Sequence, residues 1–253
     1  IIDTHTHLYL SEFKNDIDAV IERAAKEGVS RLYLPNIDNE VIDDMIQLEE
    51  KYPGKCYAMM GLHPCSVKEN YKQELQIVEG WLTKRKFAAV GEIGLDYYWD
   101  ISFKEQQIDA FNKQIDSAIQ YNIPIVIHSR NSLQDCIDIV KQKQDGRLKG
   151  IFHCFSGNTD EAKQIIDLDF LMGIGGVITY KNSGLAEIVA AIDMKHLVVE
   201  TDAPYLTPVP YRGKRNEPAY LKYVIDKIAA IKNISFEKVA EITTVNAKNL
   251  FGS

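Results

Sequence analysis

The residues best suited to chemistry in this chain are histidines and carboxylates that recur at the ends of apolar runs. His5 and His7 close the run Ile1-Ile2-Asp3-Thr4-His5. Residues two apart on a strand point to the same face, so this pair can grip a single cation. A His-x-His pair alone is weak evidence, because short motifs often occur without a ligand. Glu92 is harder to dismiss, lying between Ala88-Ala89-Val90-Gly91 and Ile93-Gly94. A carboxylate buried in such a run needs a cation or strong hydrogen bonds, since an unpaired buried charge is costly. Asp202 poses the same question after Leu197-Val198-Val199-Glu200, with Glu200 as a competitor for its role. His63 and His128 end two further apolar runs and His153 sits within another, whereas His196 falls on the N-terminal side of its run.

Taken singly, each of these has a bland reading as a hydrogen-bonded core residue. Taken together, His5, His7, Glu92, His128, His153 and Asp202 form a ligand set suited to Zn²⁺, Mn²⁺ or a similar divalent ion. Six ligands exceed what one tetrahedral zinc with an open position uses. A two-cation centre is therefore expected, with Glu92 as the natural bridge because it comes from the middle of the strand order. The identity of the ions stays open among Zn²⁺, Mn²⁺ and Mg²⁺.

Such convergence requires elements that bring distant positions together. Short strand-like runs alternate with amphipathic helical patterns eight times: residues 1–5, 31–35, 56–63, 87–94, 123–128, 150–155, 170–176 and 197–201. Helical spacing marks 16–27, a stretch through Val41 to Leu48, 105–121, 133–143 and 161–168, with two closing helices near 218–231 and 236–250. Gly28 is placed to end the first helix and Ser235 to cap the last. The runs are near-continuously apolar, as in Ile125-Val126-Ile127, which is how a parallel strand covered on both faces reads. The expectation is an α/β fold: a single (β/α)8 TIM-type barrel over residues 1–253 with an extra C-terminal helix. A doubly wound open sheet is the alternative, but no glycine-rich turn follows the first strand. In a barrel, the site residues fall at the C-terminal strand ends, where catalytic groups collect.

The formal net charge of −7 and pI near 5.4 exclude a general basic footprint for duplex nucleic acid. They do not exclude a nuclease that holds phosphate locally. The four cysteines form no CxxC pair, no signal-peptide pattern opens the chain, and no apolar run reaches the ~18 residues of a membrane span. The expected setting is reducing and cytoplasmic, without a membrane or obligate protein partner, and monomeric.

At these residues the sequence resembles the TatD family of metal-dependent deoxyribonucleases, within the wider amidohydrolase-like barrel group. The matching segments are Ile2-Asp3-Thr4-His5-Thr6-His7-Leu8, Gly61-Leu62-His63-Pro64 and Val90-Gly91-Glu92-Ile93-Gly94-Leu95-Asp96-Tyr97. Then come Ile127-His128-Ser129-Arg130, Phe152-His153-Cys154-Phe155-Ser156-Gly157, Glu200-Thr201-Asp202-Ala203-Pro204-Tyr205-Leu206 and Arg212-Gly213-Lys214-Arg215-Asn216-Glu217-Pro218. They span nearly the whole chain. Cys65, after the His-Pro pair, is a local departure and receives no role.

The resemblance implies that His5, His7 and Asp202 hold one metal, His128 and His153 the other, and that Glu92 bridges. It places His63 near the scissile phosphate. Phosphodiester hydrolysis at the 3′ end of single-stranded DNA follows as the expected activity, with RNA left open. Asp202 is the expected proton acceptor, with Glu92 and His63 as its catalytic companions. His63, Arg130, Arg212 and Arg215 are the expected phosphate contacts. Tyr205 and Tyr211 could stack on an unpaired base. Rival readings are a D-aminoacyl-tRNA deacylase, a barrel hydrolase of other esters or amides, and a non-catalytic metal- or nucleic-acid-binding barrel. The last predicts that a ligand or the base is missing, and none is.

Overall fold

A computed structural model describes residues 1–252. Eight short parallel strands are each followed by a helix: β1 (Ile2–Asp3), α1 (Ile17–Lys26), β2 (Arg31–Pro35), α2 (Ile42–Lys51), β3 (Cys56–Met59) and α3 (Tyr71–Lys84). Next come β4 (Val90–Asp96), α4 (Lys104–Tyr121), β5 (Ile125–Arg130), α5 (Leu133–Lys143), β6 (Gly150–Phe152) and α6 (Thr159–Asp167). The last units are β7 (Leu171–Ile174), α7 (Leu185–Ala191), β8 (Leu197–Val199) and α8 (Leu221–Lys232), followed by the additional helix α9 (Phe236–Phe251). The helix expected at 161–168 starts two residues earlier, because Asn158 accepts from the N–H groups of Asp160 and Glu161 in a capping box. Gly28, at φ +79°, follows α1, and the Ser235 hydroxyl caps α9 through the Lys238 N–H, both as expected.

The strands pair in sequence order, as β1-β2-β3 and as β4-β5-β6-β7-β8. An isolated bridge, Met60 with Val90, crosses one seam between these arcs, and Thr6 with Ala203 crosses the other. Main-chain bonds from Thr4 to Val199, Asp202 to His5 and His7 to Ala203 add to the second seam. The expected (β/α)8 arrangement with its extra C-terminal helix is present.

Two apolar layers hold it. The outer one lies between strands and helices and includes Leu32, Leu34, Ile125, Ile127, Phe111 and Ile115. The inner one takes a side chain from every strand run: Ile2, Tyr33, Met59, Ala89, Val126, Ile151, Leu171 and Val198. Helix α9 covers this inner layer with Ala247, Leu250 and Phe251, and the Phe251 ring stacks on Tyr33 at 3.8 Å. Tyr33 and the other members lie two or more residues before the polar site groups, so the barrel floor is dry and its mouth polar.

Strand periodicity carries the floor into the mouth. Two residues beyond Val126 is His128, two beyond Ile151 is His153, and two beyond Val198 is Glu200, all on the inward face. Glu92 breaks this parity, since it lies three residues beyond the inward Ala89. The register of β4 against β5 shifts between Val90 and Ile93, and that irregularity turns Glu92 inward. Beyond it, Gly94 and Asp96 continue on the inner face while Ile93 and Leu95 join the outer layer.

Gly94 sits at φ +138°, with the position of a Cβ occupied by the His128 carbonyl. Gly94→Ala is therefore expected to lower stability by at least ~2 kcal/mol through strain and backbone clash. The check is the denaturant midpoint, which should fall with an unchanged m-value.

Candidate metal centre

Glu92 is 2% exposed and divides its two oxygens between two groups of imidazoles. Its Oε2 lies 3.0 Å from His5 Nε2 and 3.5 Å from His7 Nε2. Its Oε1 lies 2.9 Å from His128 Nδ1, 3.5 Å from His63 Nε2 and 3.8 Å from His153 Nε2. Asp202 reaches in from the loop after β8. Its Oδ1 stands 3.5 Å from His7 Nε2 and 3.8 Å from the Nε2 atoms of His5 and His153. The His5 and His153 rings stack at 3.4 Å. All six residues expected as ligands are thus brought together. Ligand-type atoms lie close enough to share a cation in His5 with His7 and Glu92, in His5 with His153 and Asp202, and in His63 with Glu92 and His128.

The outward nitrogens decide how well this set suits a cation. His128 Nε2 is 2.8 Å from Asp96 Oδ2, and His153 Nδ1 is 2.9 Å from Glu200 Oε1. His7 Nδ1 is 2.9 Å from the Tyr9 hydroxyl, which itself donates to the Pro35 carbonyl. Asp96 and the Tyr9 hydroxyl hold the imidazole protons of His128 and His7 on the far side, so the inward nitrogen of each neutral ring carries a lone pair. Glu200 stands beside His153 as a close anion, and His5 Nδ1 has no partner among the described residues. Oriented imidazoles backed by carboxylates are the arrangement in which histidine binds metal. The donor set therefore fits divalent cations.

His63 is turned the other way. Its Nδ1 accepts the Cys65 N–H at 3.1 Å, so the neutral ring carries its proton on Nε2, facing the centre. It is built to donate rather than to ligate.

Protons and anions sit side by side in this centre. Burial alone would raise the Glu92 carboxyl, yet His5, His63 and His153 hold it well below the usual carboxylate range. Burial would lower His7 and His153; instead hydrogen bonds to Asp202 and Glu92 lift His7 to about 9, and Glu200 with Glu92 lifts His153 to about 10. A cation entering here must displace those protons.

Asp96 and Tyr9 were not among the expected site residues. Asp96 carried a signal, standing two inward steps beyond Glu92 on the same strand. Glu200 is a backing group for His153 rather than a rival to Asp202: it is fully buried, accepts the Cys154 N–H at 2.5 Å, and packs where a Cβ on Gly173 would stand.

A cavity of about 680 Å³ opens over the centre, lined by His63, Cys65 and Arg130 as well as His7, Glu92, His128, His153 and Asp202. The expected arginine loop does not line it. Arg215 spends its guanidinium on both Asp16 oxygens, at 2.7 and 2.8 Å, and on the Glu12 carbonyl, tying the loop after β8 to the segment before α1. Arg212 lies over the Tyr180 ring at 4.4 Å, and Tyr211 stacks on Tyr220 at 4.6 Å. Of the three arginines, Arg130 faces the cavity, and among the described residues no carboxylate pairs with it.

A family profile described as TatD related DNase matches residues 2–252. An uncharacterized metal-dependent hydrolase of Bacillus subtilis, YabD, is 40% identical over 252 residues, covering 99% of this chain and 98% of its own length. The crystal structure of the Escherichia coli TatD homolog YjjV superposes with a TM-score of 0.94 at 30% identity, covering 100% of this chain and 98% of that one. A TatD family hydrolase from Entamoeba histolytica shares the fold at a TM-score of 0.85 and 24% identity, over 99% of this chain and 97% of that one.

Two outcomes are expected. Glu200→Gln should weaken cation binding about 10- to 100-fold in competition with a chromophoric chelator, because His153 loses its anionic partner. Loading the metal-free protein at pH 7 in weak buffer should release more than one proton per chain, because His7 and His153 are protonated below about 9 and about 10. Apparent affinity should accordingly rise with pH up to that range; a pH-independent affinity would contradict the proton assignment.

Proposed function

The chain belongs to the TatD related DNase family of metal-dependent hydrolases, and from that premise we propose that it hydrolyses phosphodiester bonds at single-stranded DNA ends, working from the 3′ end. The observation that carries this reading is the division of Glu92 between two imidazole groups, with Asp202 reaching both. Such a set suits two cations held side by side, His5 and His7 on one, His128 and His153 on the other. Divalent ions bound there polarise the phosphoryl oxygens and lower the pKa of water.

The chain's own groups do the rest. Asp202 accepts the proton that water loses as its oxygen bonds to phosphorus and the bond to the leaving sugar oxygen breaks. Its carboxyl is suited to this: burial would raise it, but His7, His153 and His5 keep it ionised. His63 donates its Nε2 proton to a non-bridging phosphate oxygen, where charge gathers in the transition state. Arg130, exposed at the cavity edge, offers charge-assisted donors to a phosphate. Arg215, bound to Asp16 and Glu12, takes no part, and Arg212 does not line the cavity. A cytoplasmic setting belongs to the same reading, supported by four free cysteines. Among the described residues, no helix is long and apolar enough to cross a membrane.

Asp202→Asn should retain single-strand binding while kcat falls by about 10²- to 10⁴-fold, as removal of a general base does. Digestion at the native rate by this variant, or turnover of aminoacyl-tRNA with none of DNA by the wild type, would overturn the reading. Arg130→Ala should raise KM for a single-stranded oligonucleotide about ten-fold. Arg215→Ala should leave KM unchanged and lower the melting temperature, because its partners are Asp16 and Glu12.

A further inference from the structure

Exposed apolar side chains on this protein are concentrated at the barrel mouth. Of the eight large hydrophobic residues exposed among those described, six lie on two loops: Tyr98, Trp99 and Ile101 after β4, and Tyr205, Leu206 and Val209 after β8. Scattered single exposures are ordinary, whereas a cluster beside a polar centre marks a contact surface. Strands four and eight stand on opposite sides of an eight-stranded barrel, so the two loops face each other across the centre.

Each loop is tied to one half of that centre. The Tyr205 ring lies 6.2 Å from the ring of His7. On the other side, Asp96 Oδ1 accepts the N–H groups of Tyr98 and Trp99, at 2.9 and 3.2 Å, while its Oδ2 takes His128. The Arg130 guanidinium sits 3.7 Å over the Tyr98 ring and 5.1 Å from the Trp99 ring. Trp99 is 68% exposed, and Trp99, Tyr205 and Leu206 all line the cavity. An exposed indole held by a backbone anchor and neighboured by a guanidinium is a stacking platform for a planar ring.

Resting on the phosphodiesterase reading, we propose that Trp99 with Arg130 on one side, and Tyr205 with Leu206 on the other, stack the unpaired nucleobases flanking the scissile bond of single-stranded DNA. The overall negative charge argues for this occupant. A chain with no general basic footprint gains its hold on a strand from base faces, which every nucleotide presents. A base locked in a duplex offers no free face, so the platform also selects unpaired ends.

The test is steady-state hydrolysis of a single-stranded oligodeoxynucleotide and of the same strand with abasic residues on both sides of the scissile bond. Trp99→Ala and Tyr205→Ala should each raise KM on the normal strand about 5- to 100-fold with a much smaller change in kcat, and Trp99→Phe should restore most of it. On the abasic strand, wild type and variants should converge. Unchanged KM on the normal strand, or equal losses on both strands, overturns the platform while leaving the phosphodiesterase reading intact. Failure of the wild type to cleave either strand overturns that reading, and this inference with it. Trp99 is exposed, so loss of folding does not confound the measurement.

Discussion

A carboxylate with almost no access to water, ringed by imidazoles, governs the architecture of this molecule. Left alone, the buried Glu92 would carry a desolvation penalty of several kcal/mol. Four imidazoles within 3.5 Å of its two oxygens, His5, His7, His63 and His128, offset that penalty and make the position a natural seat for cations. Asp96, Glu200 and Tyr9 stand behind His128, His153 and His7 and set which way those three rings face the centre. The polar mouth is tolerable because the floor beneath it, from Ile2 to Val198, is dry and tightly shut by α9.

The same constraint explains why small residues line the inner face. Gly94 admits the His128 carbonyl, and Gly173 leaves the space that the Glu200 carboxylate fills. A methyl group at either place would push a backing group or a ligand-bearing strand out of line. Rigidity at the centre is thus built into strands, while the exposed aromatic rings around it fall on loops. Asp96 joins these two levels, since one oxygen orients His128 and the other shapes the turn that presents Trp99.

Charge at the mouth is distributed unlike charge in the chain order. Arg212, Lys214 and Arg215 read as a basic loop beside the site, yet Asp16 and Glu12 take up Arg215, and none of the three lines the cavity. Arg130 remains open because its neighbours are aromatic rings and not carboxylates. Nearness in sequence to the last strand thus does not bring the loop arginines to the cavity, whereas Arg130, two residues beyond His128 on the same strand, lines it.

Sequence alone was enough for the architecture and for the histidines and carboxylates that the fold gathers at one mouth. Continuous apolar runs alternating with amphipathic helices specify parallel strands covered on both faces, and period-two placement puts His5 with His7 and carries Val126 to His128. These are local properties, set by backbone geometry and burial, so they survive without coordinates. Tertiary structure decided the rest. The register shift in β4 that turns Glu92 inward, the placement of Glu200 behind His153 rather than in Asp202's role, and the capture of Arg215 by Asp16 each depend on a partner distant in the chain. So does the joining of Trp99 and Tyr205 across one mouth. The direction of a side chain at a strand end is set by what packs against it, and that is information only the folded chain contains.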